Sequence, residues 1–504
     1  MTLRYAALAA YIALVAALGA AAARRVKGLP DYVAASRRLG LWSYVLLMVG
    51  SVLSGMTCIG VAGLSYLTGY ANVWERVLGP PLAIALVTAL LLPKLLREAR
   101  ARGLLTVQDY LAYRYGDERL VRALSGAASV LVCSTYLVGQ YVAVGVVSKA
   151  VFGWEYWQGC LLAMLVVVAY VAAGGMLSVA WTTLLQAGLM VAGVAALSAY
   201  VVAQLGGLVE LNLKAARVSQ GPFHEWLAMP WGPLDAPLVS PLFNFTLFGL
   251  TVTLGLAVAP HVVNNALAAS SERHAKWGPL ACYLLGLAAI MSASLLGLAA
   301  RVAEADGLIQ LEPHPLGGKW YDMALPTLAE AVLPEALFSL FLVVVLAAVM
   351  STTDRLVLTI GVNVGYDLYR GLLRPEASER SVQAVSKLAV AAAGVATYLA
   401  ALSPPPLLAW LVWLTLGLIC NTWLAPLLCG LYWRKATREG CVASMAAGLA
   451  VTAAAGYLCG PPPIGLGITP RLLGMPFYFA LPGLLASWAA MIAVSLATSR
   501  TTQR

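Results

Sequence analysis

Thirteen stretches of the chain are apolar for most of their length and alternate with polar connections. They fall near residues 5–23, 41–70, 77–96, 121–151, 156–175, 177–204, 241–266, 278–302, 335–366, 384–403, 406–432, 440–459 and 476–498. About 20 apolar residues cross a hydrocarbon core as a helix, and a helix satisfies its own backbone groups there. The pattern therefore predicts an all-α integral membrane protein of about thirteen transmembrane helices, forming a single domain over 1–504.

Composition agrees. Of 504 residues, 61% are hydrophobic and 11% charged, against about 25% charged in soluble domains. Such a chain lacks the polar surface for a water-exposed shell. The net charge of +10, from 32 Lys+Arg and 22 Asp+Glu, is accounted for by basic loops on one side of a membrane and gives no indication of nucleic acid. With the N-terminus outside, the loops 24–40, 97–120, 267–277, 367–383 and 433–439 and the tail, together with their flanking turns, carry 23 Lys+Arg. The other side carries eight: Arg4, Arg76, Lys149, Lys214, Arg217, Arg301, Lys319 and Arg471. That asymmetry predicts an outside N-terminus and a cytoplasmic C-terminus in the plasma or inner membrane of the cell. The 5–23 segment also has signal-peptide features in Arg4 and Ala20 to Ala23, but Arg24, Arg25 and Lys27 follow at once and favour a retained leading helix.

Little supports an enzyme. The four histidines, His224, His261, His274 and His314, show no metal-ligand spacing, and no GxxxxGK[ST] loop is present. None of the eight cysteines forms a CxxC pair. The loops 205–240 and 303–334 are too short for a catalytic domain. The acids of the second, Glu304, Asp306, Glu312, Asp322 and Glu330 with Glu335 beyond it, read as a solvated surface or as a weak cation-attracting vestibule.

The informative feature is polarity inside particular apolar segments. The 41–70 segment holds Gly50, Ser51, Ser54, Gly55, Thr57, Gly60 and Gly63. Small residues allow close packing; equally, they suit a discontinuous helix whose unwound carbonyls bind a cation. The 335–366 segment carries Ser351, Thr352, Thr353, Asp354 and Arg355 in succession near its middle. Charges at that depth cost about 2.5–3.5 kcal/mol each on insertion scales and normally line a protein interior or a water path. Pro260 interrupts the 241–266 segment. Gln140, Thr182, Gln186, Asn421 and Thr422 are each either interhelical hydrogen-bond formers or ligand contacts.

Six motifs carry a family resemblance: DYVAASRRLG (31–40), LLTVQDYLAYRYG (104–116), GGMLSVAWTTLLQ (174–186), VAPH (258–261), MSTTD with YDLYR (350–354, 366–370) and GLYWRKATREG (430–440). In this order and spacing the chain resembles the sodium/solute symporter family. The resemblance implies a LeuT-like core of two inverted five-helix repeats with discontinuous helices, over 41–204 and 241–432, preceded by the leading helix and followed by two C-terminal helices over 440–498. It implies a principal sodium held by the carbonyls of Gly50, Leu53 and Ala348 and the hydroxyls of Ser351 and Thr352. Two departures stand out. Thr183 occupies a position where relatives often carry an aspartate, and Arg355 lies in the region where some relatives bind a further sodium, which suggests a tethered cation. Val252, Leu256, Ala259 and Asn265 replace more polar or aromatic residues of the proline permease, leaving a small apolar pocket. Its candidate polar groups are Ser54, Thr57, Gln140 and Thr253, with Asn421 as a further contact, while Asp354, Arg355 and Pro260 are candidates for gating.

The implied function is sodium-coupled import of a small organic solute by alternating access, a monocarboxylate or amino acid being favoured, with Arg355 or backbone amides taking the carboxylate. The coupling ion is Na+; the other partners are the solute and membrane lipid, and the chain is expected as a monomer or weak homo-oligomer. Proton-coupled or uncoupled transport, and a transporter-like membrane sensor, are the alternatives.

Overall fold

The structure, a computed structural model, describes residues 2–35, 39–71, 73, 77, 79–116, 119–218 and 234–499. Arg76, His224 and the last residues of the basic tail lie outside them. The described chain is almost entirely helical: α1 (Thr2–Ala23), α2 (Leu29–Ala34), α3 (Leu41–Val52), α4 (Met56–Thr68), α5 (Gly79–Arg102), α6 (Val107–Tyr115), α7 (Leu120–Phe152), α8 (Tyr156–Gln204) and α9 (Gly207–Val218). After them come α10 (Pro241–Val258), α11 (Pro260–Ala268), α12 (Glu272–Ala305), α13 (Ala324–Val332), α14 (Glu335–Leu373), α15 (Glu379–Ala401), α16 (Ala409–Tyr432), α17 (Arg438–Cys459) and α18 (Leu481–Ser499). A two-residue hairpin, β1 (Arg471–Leu472) and β2 (Met475–Pro476), is the only sheet among the described residues.

Ten of these helices are long and apolar enough to cross a membrane, and the bent pair α3 and α4 makes an eleventh. One of the ten, the 49-residue α8, covers two of the expected segments. It bends sharply at Gly175, whose φ of 54° is open to glycine, and a Cβ there would sit 2.6 Å from Tyr32. The apolar pattern located a helix in every predicted segment, because each must bury or expose a continuous hydrophobic surface. α14 and α16 are central and mostly buried, whereas α1, α15 and α18 bury only one stripe each. Close approach depends on small residues: at Gly297 of α12 a Cβ would fall 2.1 Å from the Ala62 carbonyl of α4.

The helices are tied together by polar groups at both ends. Around the 303–334 loop, Glu304 pairs with Lys319 at 2.7 Å, Asp306 with Lys214 at 3.0 Å and Glu312 with Lys149 at 2.8 Å. Glu330 and Glu335 share Arg4 at 3.2 and 3.1 Å. These acids are thus paired with bases, which removes the basis for a cation-attracting vestibule. Asp322 is fully buried, and its Oδ2 accepts from the Leu408 N–H at 2.6 Å just before α16. Burial pushes this carboxyl up to about 8 from an unfolded value of 3.8, with the Leu408 N–H opposing the shift. Between those values the folded state holds the extra proton, so stability is greatest at low pH and falls as pH rises through that window. Asp322→Asn should flatten this slope and raise the melting temperature above pH 8; an unchanged pH profile would show that Asp322 does not titrate there.

At the opposite face, Thr106 starts α6 with a reciprocal capping box to Asp109. Asp109 Oδ1 and Asp367 Oδ1 approach Arg122 Nη1 at 2.5 and 3.5 Å. Thr106 Oγ1 donates to Asp367 Oδ1 at 2.8 Å, and the Val107 N–H donates to Asn264 Oδ1 at 3.0 Å. One buried network therefore locks α6, α7, α11 and α14 together. Arg122→Gln would leave two buried carboxylates without their cation and should destabilise the protein by about 3–5 kcal/mol, measured as a lower melting temperature.

Candidate functional site

The helix expected across 41–70 is broken. α3 stops at Val52, Leu53 is extended with φ −93° and ψ 132°, and α4 restarts at Met56 with the two axes bent by 57°. The break leaves carbonyls of the last turn of α3 without helical N–H partners. The N–H that would have reached the Gly50 carbonyl, that of Ser54, is 3.1 Å from Thr57 Oγ1 instead. Thr57 N–H turns to the Ser54 carbonyl at 2.8 Å rather than to that of Leu53.

Two hydroxyls of α14 meet these carbonyls. Thr352 Oγ1 lies 2.9 Å from the Gly50 oxygen and 3.0 Å from that of Leu53. Ser351 Oγ lies 3.3 Å from the Gly50 oxygen and 2.9 Å from that of Ala348. All five residues are buried. Five oxygens this close resemble the shell of a hard cation: ligands about 2.4 Å from an ion stand about 3.4 Å apart around it. Each hydroxyl can rotate its proton away and present a lone pair.

Arg355 reaches one of these oxygens, the Gly50 carbonyl, from one turn below. Its Nη1 donates to the Gly50 carbonyl at 2.9 Å and its Nη2 to Thr183 Oγ1 at 2.6 Å. Asp354 is not its main partner: Oδ1 stands 3.7 Å from Arg355 Nη1, while Oδ2 accepts from Tyr170 Oη at 3.0 Å and Thr182 Oγ1 at 3.3 Å. Neighbours on a helix point about 100° apart, so the two charges are directed to different surroundings. Among the described residues no group of three His, Cys, Asp or Glu could hold a metal.

Beside the break opens a cavity of about 80 Å3. Met48, Met56, Phe248, Leu256, Trp413 and Leu416 supply much of its wall, with Ser54, Thr57 and Tyr136 at the polar end. The Phe248 and Trp413 rings meet edge to face at 5.7 Å. The second break, between α10 and α11, borders this region: Ala259 has ψ 129°, and Pro260, which has no N–H to donate, opens α11.

The structure brings together Gly50, Leu53, Ala348, Ser351 and Thr352, and it places Ser54 and Thr57 in the cavity wall. Gln140 lies beside the break, its Oε1 accepting from the Gly55 N–H at 3.1 Å. Thr253 and Asn421 are not in the wall. Thr253 Oγ1 donates back to the Phe248 carbonyl at 2.5 Å, and the Asn421 amide donates to Thr452 Oγ1 at 2.7 Å and the Ala480 carbonyl at 2.8 Å. Asn421 therefore fastens α16 to the C-terminal helices, an interhelical role in place of the expected solute contact. Tyr136, Phe248 and Trp413 also line the cavity, and the sequence did not single them out. Tyr136 was within reach, since it stands one helical turn before Gln140 and shares its face.

Comparison with known proteins agrees with this architecture. The sodium:solute symporter family matches residues 32–448. A Na+-coupled sialic acid symporter, solved in a substrate-bound outward-open state, superposes with a TM-score of 0.76 at 18% identity, covering 98% of this chain and 97% of the other. Mhp1, a nucleobase-cation-symport-1 family transporter in a closed conformation with bromovinylhydantoin bound, superposes at 0.51 and 15% identity, covering 94% and 95%. The fold is LeuT-like. The chain belongs to the sodium:solute symporter family, and it is a multi-pass membrane transporter that couples solute movement to sodium, not an enzyme.

Proposed function

We propose that this chain imports a small organic solute with sodium by alternating access, with the ion at the α3–α14 seam and the solute in the adjoining cavity. One observation carries the reading: the hydroxyls of Ser351 and Thr352 bridge to the orphan carbonyls of Gly50 and Leu53 across a helix break. A cation there would cross-link two elements that must separate when the site opens, which couples occupancy to conformation. Pro260 and Ala259 supply the matching hinge in the second repeat, and the count of basic residues favours an outside N-terminus and cytoplasmic C-terminus.

In this reading Arg355 is a tethered cation beside the sodium nest and shares the Gly50 oxygen with it. The expectation of a monocarboxylate or amino acid loses its support, because the groups it relied on are engaged elsewhere. Arg355 is held by Gly50 and Thr183, and the amides at the break are capped by side chains. Proton coupling has no comparable observation behind it.

The purified protein should gain thermal stability in sodium but not in potassium, since a ligand selective for the native state raises its apparent stability. In proteoliposomes, solute uptake should require an inward sodium gradient. Equal stabilisation by both ions would count against the sodium nest.

A further inference from the structure

The solute cavity has an electrostatic character that the fold does not dictate. No Asp, Glu, Lys, Arg or His lines it among the described residues. A broken helix ordinarily offers an anion the free N–H groups of its restarting half. Here those groups are closed off by the chain itself. Ser54 N–H is capped by Thr57 Oγ1, Gly55 N–H by Gln140 Oε1 and Met56 N–H by Ser54 Oγ, each at 3.1 Å.

The full charges beside the break are also turned away, and the His261 ring packs edge to face against Tyr136 from outside the wall. The Arg355 guanidinium is bound to Gly50 and Thr183, and Asp354 Oδ2 is bound by Tyr170 and Thr182. Neither appears in the wall, so a carboxylate finds no cation and an ammonium finds no carboxylate. Desolvating an unpaired ion costs several kcal/mol, which apolar contact cannot selectively return. The wall is instead suited to a hydrocarbon or aromatic body. Two methionine side chains and the perpendicular Phe248–Trp413 pair offer polarisable surfaces, and Tyr136 Oη, 3.4 Å from Ser54 Oγ, marks one polar end.

We propose that the solute is electrically neutral, with an apolar, ring-sized body and one or two hydrogen-bonding groups directed at Tyr136 and Ser54. The inference rests on the cavity being the solute site. A carrier of this kind moves the charge of sodium uncompensated, so its transport is driven by membrane voltage; a monocarboxylate carried with one sodium would be electroneutral.

The test is a sodium-dependent thermal-shift and tryptophan-fluorescence titration of the full chain with charge-matched probes: benzamide, benzoate and benzylammonium, then indole and indole-3-carboxylate. The neutral members should bind at least about tenfold more tightly than their ionised counterparts. Val252→Lys, which places a cation in the wall, should shift the preference towards benzoate and indole-3-carboxylate. Ionised probes binding as well as neutral ones in the unmodified chain would overturn the proposal, and so would the absence of binding by any neutral probe up to about 10 mM. Sodium alone, measured in the same buffer, separates the two readings: its failure to stabilise sinks the sodium nest and leaves the probe ranking to judge the cavity.

Discussion

Thr352→Val should abolish sodium-dependent stabilisation while leaving the protein folded. The substitution keeps the β-branched shape and removes the one oxygen that touches both the Gly50 and the Leu53 carbonyls, at 2.9 and 3.0 Å. An ion at this seam would lose one of five ligands and the contact that joins α14 to both carbonyls of the break. At a sodium concentration of about 100 times its dissociation constant, bound ion contributes about 2.7 kcal/mol to the unmodified chain. That increment should disappear in the variant, and the concentration for half-maximal transport should rise about a hundredfold or more. The melting temperature in potassium should fall by the equivalent of about 1–3 kcal/mol, because the buried Leu53 carbonyl loses its donor, so the sodium increment over potassium is the quantity that reads the ion site. Retained sodium dependence in Thr352→Val would remove the nest from the mechanism.

Arg355→Ser should act in the opposite direction and tighten sodium binding. A guanidinium about 6 Å from the ion repels it by about 3 kcal/mol at an effective dielectric of 20, which corresponds to about a hundredfold in affinity. Removing it also frees the Gly50 carbonyl from one of three donors and leaves Thr183, Asp354 and the new hydroxyl facing a vacated cationic position. The number of sodium ions moved per solute should then rise, measured by reversal potential in proteoliposomes. Unchanged sodium affinity together with unchanged stoichiometry would reduce Arg355 to a structural cross-link between α14, α3 and α8. Asp354→Asn is the informative partner: it removes the carboxylate but leaves the guanidinium in contact with Gly50, so it should weaken sodium binding rather than strengthen it.

Much of the candidate site was legible before any coordinates. Five polar residues in the middle of an apolar segment are expensive in a membrane, and the expense itself marks Ser351 to Arg355. Glycine and serine in the 41–70 segment weaken the helix where it breaks. The family motifs supplied the pairing of these two regions. The solute contacts were less legible. Asn421 and Thr253 are polar residues on buried helices, as Ser54 and Thr57 are, and nothing local distinguishes a side chain turned into a cavity from one turned to a neighbouring helix. Gln140 shows the same ambiguity: its carbonyl caps Gly55, so it shapes the break beside the cavity wall.

What the sequence determined by itself was the membrane class, the positions of the helices and the location of intramembrane polarity. These follow from hydrophobic length and from the cost of burying charge, and both act along a single segment. What only the tertiary structure decided was who satisfies whom. The capping of three amides by Thr57, Gln140 and Ser54, the claim of Arg355 on the Gly50 oxygen, and the turning of Asn421 toward Thr452 all depend on which helices face each other. Hydrogen bonds are short-ranged and directional, so their partners are set by packing between residues that can stand 302 positions apart or more, as with Gly50 and Thr352.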